Sequence, residues 1–110
     1  MTTALSPEHI RTYTLATVYG VLKEAILHKH DRNLDIVLSD PRVNPSVEDN
    51  EYLMLACTYG NLYAVKRLLS DPRVNVAARG NTAFHISYSN EHWDILSHLS
   101  EHVGIHMMKP

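Results

Sequence analysis

The chain has 110 residues, enough for one domain, and its 45% hydrophobic and 20% charged content is that of a globular protein. A formal net charge of −2, spread without a basic or acidic run, excludes the basic face of a nucleic-acid binder and a polybasic membrane anchor. A single cysteine, Cys57, excludes an internal disulfide, and no apolar stretch approaches the roughly 18 residues of a membrane span.

The start, Met1-Thr2-Thr3-Ala4-Leu5, lacks the basic and apolar regions of a signal peptide, so an intracellular, by default cytoplasmic, protein is expected. Residues 1–5 are expected to fray. Ser6-Pro7-Glu8 then reads as a helix start, with serine as N-cap, proline in the first turn and an acid at the positive end of the dipole. Ile10, Thr14, Val18, Val21, Leu22 and Ala25 follow at helical spacing. The pattern predicts one long helix to about His30, or two helices meeting near Gly20.

A short helix through Leu34, Val37 and Leu38 ends at Asp40-Pro41, because the residue before proline is pushed out of the α region. The heptapeptide Leu38-Ser39-Asp40-Pro41-Arg42-Val43-Asn44 returns unchanged as Leu69 to Asn75, an offset of 31 residues. A fixed period of this size marks stacked repeats. Between the two copies, Leu53, Leu55, Ala56 and Cys57 lie on one helix closed by Gly60. Asn61 begins the next, with Leu62, Val65, Leu68 and Leu69 inward. The third unit follows the same plan: an Arg79-Gly80-Asn81 turn, a helix capped by Thr82, an Asn90-Glu91 turn, and a helix carrying Trp93, Ile95, Leu96 and Leu99 up to Gly104. Helices this short are marginal alone and need stacking.

Residues 46–76 resemble an ankyrin repeat at Leu53, Leu55, Ala56, Gly60, Leu62, Val65, Leu68 and Leu69. Residues 77–107 resemble one at Gly80, Thr82, Phe84, His85, Ile86, His92, Ile95 and Leu99, and residues 20–45 do so more weakly. The shortened Asp-Pro-Arg-Val-Asn linker is similar to ankyrin arrays of large DNA viruses and protists. The resemblance implies an all-α fold, a short solenoid of helix-turn-helix repeats with an N-terminal capping helix. Its divisions are a cap helix at 1–19, a degenerate repeat at 20–45, a repeat at 46–76 and a terminal repeat at 77–110. Lys29 and Glu91 stand where the family has the helix-turn glycine, and Asn90 is expected to take the left-handed conformation in place of Glu91. Tyr88 replaces an alanine and is expected at an exposed end of the stack.

The resemblance further implies a non-catalytic protein-binding module, an adaptor or inhibitor, with a host-directed role if the viral likeness extends to function. Family members bind through finger loops and the adjacent helix face. Here that surface comprises Val47, Glu48, Asn50, Thr58 and Tyr59, then Ala78, Arg79, Asn81, Ser89 and Asn90. Tyrosine and arginine are enriched at binding hot spots, and Glu48, Asp49 and Glu51 make the middle finger acidic. The partner is a protein of unknown identity, not nucleic acid or membrane. The alternative is a homodimer using Tyr88, Met107 and Met108.

No catalytic constellation, phosphate-binding loop or cofactor signature is present, so an enzyme is not expected. His98 and His102 lie four apart, with His106 beyond. Two histidines fall short of the three or four ligands that zinc wants, which leaves them a weak metal candidate and a candidate pH sensor. The resemblance gives His85 a structural role, bonding the turn. Cys57 at a small packed position reads as a buried, inert thiol, and Trp93 at a core leucine position reads as packing.

Overall fold

The computed structural model describes residues 5–104, and these hold seven helices and no strand. They are α1 (Pro7–Ile10), α2 (Leu15–Leu27), α3 (Asp31–Leu38), α4 (Val47–Thr58), α5 (Leu62–Leu69), α6 (Ala78–Ser89) and α7 (Trp93–His102). From α2 onward the helices form three antiparallel pairs. First helices stack as α2–α4–α6 and second helices as α3–α5–α7, while α1 packs on α3. The result is a stack of 51 × 26 × 18 Å.

The helical run ends near His30 as expected, at Leu27, but it consists of two helices that do not meet at Gly20. Ser6 accepts the His9 amide to start α1, and Thr14, in extended backbone, accepts the Thr17 amide to start α2. The break therefore lies at Arg11–Thr14, where a cap forms. Gly20 continues inside α2, costing helix propensity without interrupting hydrogen bonding. The division drawn at residue 19 thus cuts through α2, which is the first helix of the first pair.

The turn inside each pair is the same device three times. Lys29, Gly60 and Glu91 are left-handed, with φ of 57°, 69° and 59°. The amides of the next residues, His30, Asn61 and His92, donate to the carbonyls of Ala25, Ala56 and Ser87, each at 2.9 Å. These six-to-one bonds are Schellman-type closures. Glu91 adopts the left-handed conformation and Asn90 does not, because the closure fixes which position must turn. At Gly60 the absence of Cβ is also steric, since a Cβ would lie 2.8 Å from the His92 ring.

The repeated heptapeptide forms the joints between pairs. The Asp40 carboxylate accepts the Arg42 amide at 2.9 Å and pairs with its guanidinium at 2.7 Å. That guanidinium donates onward to the carbonyls of Ile10 and Tyr13. Asp71 and Arg73 repeat the pairing at 2.8 Å, and Arg73 donates to the carbonyl of Val43. Asn44 and Asn75 each accept the amide two residues on, at 3.0 Å, an Asx turn that redirects the chain toward the next first helix.

The core runs through the stack as Val18, Leu22, Ile26, Leu34, Leu53, Leu68, Ile95 and Leu99, all buried. Asn61 is also buried. Its Oδ1 accepts the Ala64 amide, and its Nδ2 donates to the carbonyl of Ile26 in the preceding pair at 3.0 Å. Trp93 is not core: it is 53% exposed and lies edge-to-face on Tyr88, centroids 5.5 Å apart. Tyr88 is exposed too, as its position 31 residues after the buried Cys57 implies when the described residues provide no further pair to cover it. His85 is exposed and makes no hydrogen bond among the described residues, so it does not bond the turn. Thr82 also departs from expectation, since its hydroxyl donates back to the Arg79 carbonyl and accepts no amide.

Replacing Asn61 with alanine removes an N-cap and leaves the Ile26 carbonyl buried without its donor. We expect a loss of about 2–3 kcal/mol in urea unfolding, against a few tenths for Asn90→Ala on the surface. The linker carboxylates predict an acid limit. The Arg42 hydrogen bond holds Asp40 below the usual carboxylate range, and Arg73 does the same for Asp71. Depressed pKa values contribute stability above the unfolded pKa that is lost as pH falls through the folded one. The urea midpoint should hold from pH 7 to 5 and decline below about 4, and Asp40→Asn should flatten that decline.

Candidate protein-binding surface

Two three-residue turns precede the regular parts of α4 and α6. Glu48, Asp49 and Asn50 have φ of 54°, 52° and 65°, and Arg79, Gly80 and Asn81 have φ of 58°, 65° and 66°. Each turn is closed from behind, by Asn50 N–H to the Ser46 carbonyl and Asn81 N–H to the Ala77 carbonyl. Asparagine and aspartate tolerate this region, whereas for Glu48 and Arg79 it costs roughly 1–2 kcal/mol each. Contacts between the turns offset that cost. Arg79 donates to the carbonyls of Glu48 at 2.7 Å and Asp49 at 3.0 Å, and to the Glu51 carboxylate at 2.9 Å. One guanidinium thus ties the second finger to the first.

Burial divides the expected contact residues. Asn50 and Ala78 are 6% and 4% exposed, so they are withdrawn from the surface. Asn50 is spent on structure, its Oδ1 accepting the Asn75 amide at 2.9 Å, and Ala78 packs in the core. Val47 is half-buried, while Glu48, Thr58, Tyr59, Arg79, Asn81, Ser89 and Asn90 are exposed. The exposed set falls into two groups. Glu48, Arg79 and Asn81 lie at the finger end of the first helices, and Thr58, Tyr59, Ser89 and Asn90 at the turn end. The regular helix from Glu51 to Thr58 separates them by about 12 Å at 1.5 Å per residue. Tyr59 is half exposed and offers the largest side chain of the set.

Near the fingers, Glu48, Asp49 and Glu51 face Arg79 alone among cations bonded there, which leaves an excess of negative charge. Tyr19 and Tyr52 stack behind them at 5.9 Å. On the opposite side, Asp35 accepts the Tyr63 hydroxyl and the Arg67 guanidinium. Burial opposes ionisation of Asp35, but those two donors outweigh it and hold the carboxyl low, while Asp35 pushes the Tyr63 phenol up. Tyr63 is therefore engaged between pairs although partly exposed.

His98 and His102 find no third metal ligand among the described residues. No group of three or more His, Cys, Asp or Glu side chains fit for a metal exists among the described residues. His98 is half-buried, and burial followed by the nearby Lys66 lowers its pKa, which favours the neutral form. His106, Met107 and Met108 lie outside the described residues. Cys57 is buried against Ser87, and burial pushes its thiol up to about 11 despite that hydrogen bond. Among the described residues, no helix is long and apolar enough to cross a membrane.

The family model for ankyrin repeats matches residues 15–109 in three copies. With the helix pairs, shared turns and fingers above, the chain belongs to the ankyrin-repeat family. Ankyrin repeats are generally protein–protein interaction modules. No curated protein matches the chain. No solved structure does either.

The contacts that turned out to be structural were illegible for a shared reason. Asn50 and Ala78 sit in finger positions whose side-chain direction depends on three consecutive left-handed residues. The one available signal was the match of Asn50 with Asn81, 31 residues apart.

Because only the thiolate reacts, Cys57 should be silent toward a thiol reagent in the native protein at pH 8. Labelling should track urea unfolding, and Ser87→Ala should leave that correspondence intact.

Proposed function

We propose that this chain is an adaptor or inhibitor that occupies the surface of a target protein with its two fingers and the adjoining exposed faces of α4 and α6. The observation that carries this reading is the Arg79 clasp. It holds non-glycine residues in left-handed backbone and fixes two neighbouring fingers as one rigid edge. Strain held in place by surrounding contacts is a feature of binding sites. Rigidity lowers the entropy lost on binding.

The chemistry of that edge selects the target. Three carboxylates against one guanidinium favour a basic patch, which steers encounter and sets register. Tyr59, at the far end of α4, supplies an aromatic anchor. Two fingers and two helix faces can cover an interface of about 800 Å² per partner. Such a module requires neither cofactor nor metal. The buried free thiol suits a reducing, intracellular compartment.

Affinity capture from a cell lysate tests the reading, with the Glu48→Arg/Tyr59→Ala double variant as control. A protein retained by the wild type should be lost, with affinity down at least tenfold and an association rate that falls with added salt. Equal retention by both proteins would place the site elsewhere.

A further inference from the structure

The 31-residue register identifies two complementary open surfaces at the ends of the stack. Among the described residues an open groove of about 560 Å³ lies at the N-terminal end, lined by Thr17, Gly20, Val21, Ala25, His30 and Asn33 together with the charged Lys23 and Glu24. In the next pairs the same positions receive the preceding pair. Asn61, 31 residues after His30, bonds the Ile26 carbonyl, and His92 sits on Gly60 and faces the Thr58 carbonyl at 3.4 Å. Ala64, the counterpart of the half-buried Asn33, is fully buried. What fills this socket inside the molecule is therefore the end of a first helix together with its helix-to-helix turn. In the first pair α1 packs on the α3 side, where it lines a separate small cleft with Ile36, Ser39 and Asp40.

At the other end the matching turn projects without cover among the described residues. Tyr88 and Trp93 are 65% and 53% exposed and brace one another edge-to-face. Tyr88 occupies the register position of Ile26 and Cys57, which are fully buried in pairs that another pair follows, Cys57 against Ser87 of the next first helix. The socket is suited to large rings. Gly20 stands where the next pairs carry Glu51 and Thr82, and a Cβ added at Gly20 would meet nothing within 4 Å. In register, His30 of one molecule would meet Glu91 of the other, as His92 meets Gly60.

We propose that the Tyr88–Trp93 turn of one copy docks in the Thr17–Asn33 groove of a second copy, joining molecules head to tail and leaving the two fingers free, though not Ser89 and Asn90 within the turn. The contact is heterologous and does not close on itself, so it propagates. Because α1 stands in register with the last turn of a neighbour's α7, only the tip of the turn enters. The interface is smaller than the roughly 1,000 Å² of a stable complex, and the association is weak and concentration-dependent.

Sedimentation velocity up to about 1 mM, with folding checked by circular dichroism, tests this on the full chain. The variants are Gly20→Lys, which fills the groove at a position with free space, and Tyr88→Lys/Trp93→Lys on exposed rings. The wild type should grow beyond the dimer as concentration rises, and each variant should associate at least tenfold more weakly. An equimolar mixture should form a one-to-one complex and nothing larger, since it contains one intact groove and one intact turn. A wild type that stays monomeric throughout overturns the proposal. So does growth that stops at a dimer insensitive to Gly20→Lys, the signature of two turns meeting face to face. Association that appears only when residues 105–110 are removed also overturns it, by assigning the open turn to the chain's own terminus.

Discussion

Everything in this stack depends on how one pair of helices is joined to the pair before it, and an aspartate–arginine pair two residues apart fixes the course of that joint. The carboxylate receives the arginine's own amide and its guanidinium, which fixes a flexible side chain in one extended pose. The free edge of the guanidinium then reaches backward to main-chain carbonyls of the preceding unit. Such a joint is indifferent to the side chains on either side of it. That explains why the heptapeptide repeats letter for letter while the helices it connects share only a pattern of apolar positions.

The fingers extend the same logic toward the surface. Arg79 again donates to carbonyls of the preceding unit, now at residues exposed to solvent. Backbone that would cost energy alone is held by a partner arriving from the next repeat. The candidate binding edge is therefore a property of two repeats together. A change at Arg79 reaches Glu48 and Asp49 without altering either residue.

Much of this was readable in the sequence. The period, the helix-turn-helix unit, the glycine closure at Gly60 and the buried thiol at Cys57 follow from spacing and residue type. What escaped was set by geometry with no local signal. Glu91 was passed over for Asn90 because asparagine has the better intrinsic tolerance, yet the six-to-one closure requires the later residue to turn. Trp93 looked like core because its counterpart Leu62 packs against the core. Its exposure depends on where the stack lies relative to it, which hydrophobicity does not encode. The helix break at Arg11–Thr14 was hidden by an apolar pattern that runs across it, and only the Thr14 cap reveals it.

Tyr19 and Asn50 stand one period apart and share no chemistry beyond an oxygen. The asparagine offers its amide carbonyl from a left-handed finger, and the tyrosine offers its phenol from the middle of a helix. Yet both accept the amide of the following linker's asparagine, at 2.9 and 2.8 Å. The longer side chain spans the gap that the missing finger leaves. The linker thus demands an acceptor at one point in space, whatever residue and whatever backbone deliver it. Degeneracy in the first repeat is then substitution at the level of reach. Divergent units of such arrays should be sought by asking which side chain can arrive at that address, since alignment of letters will pass over them.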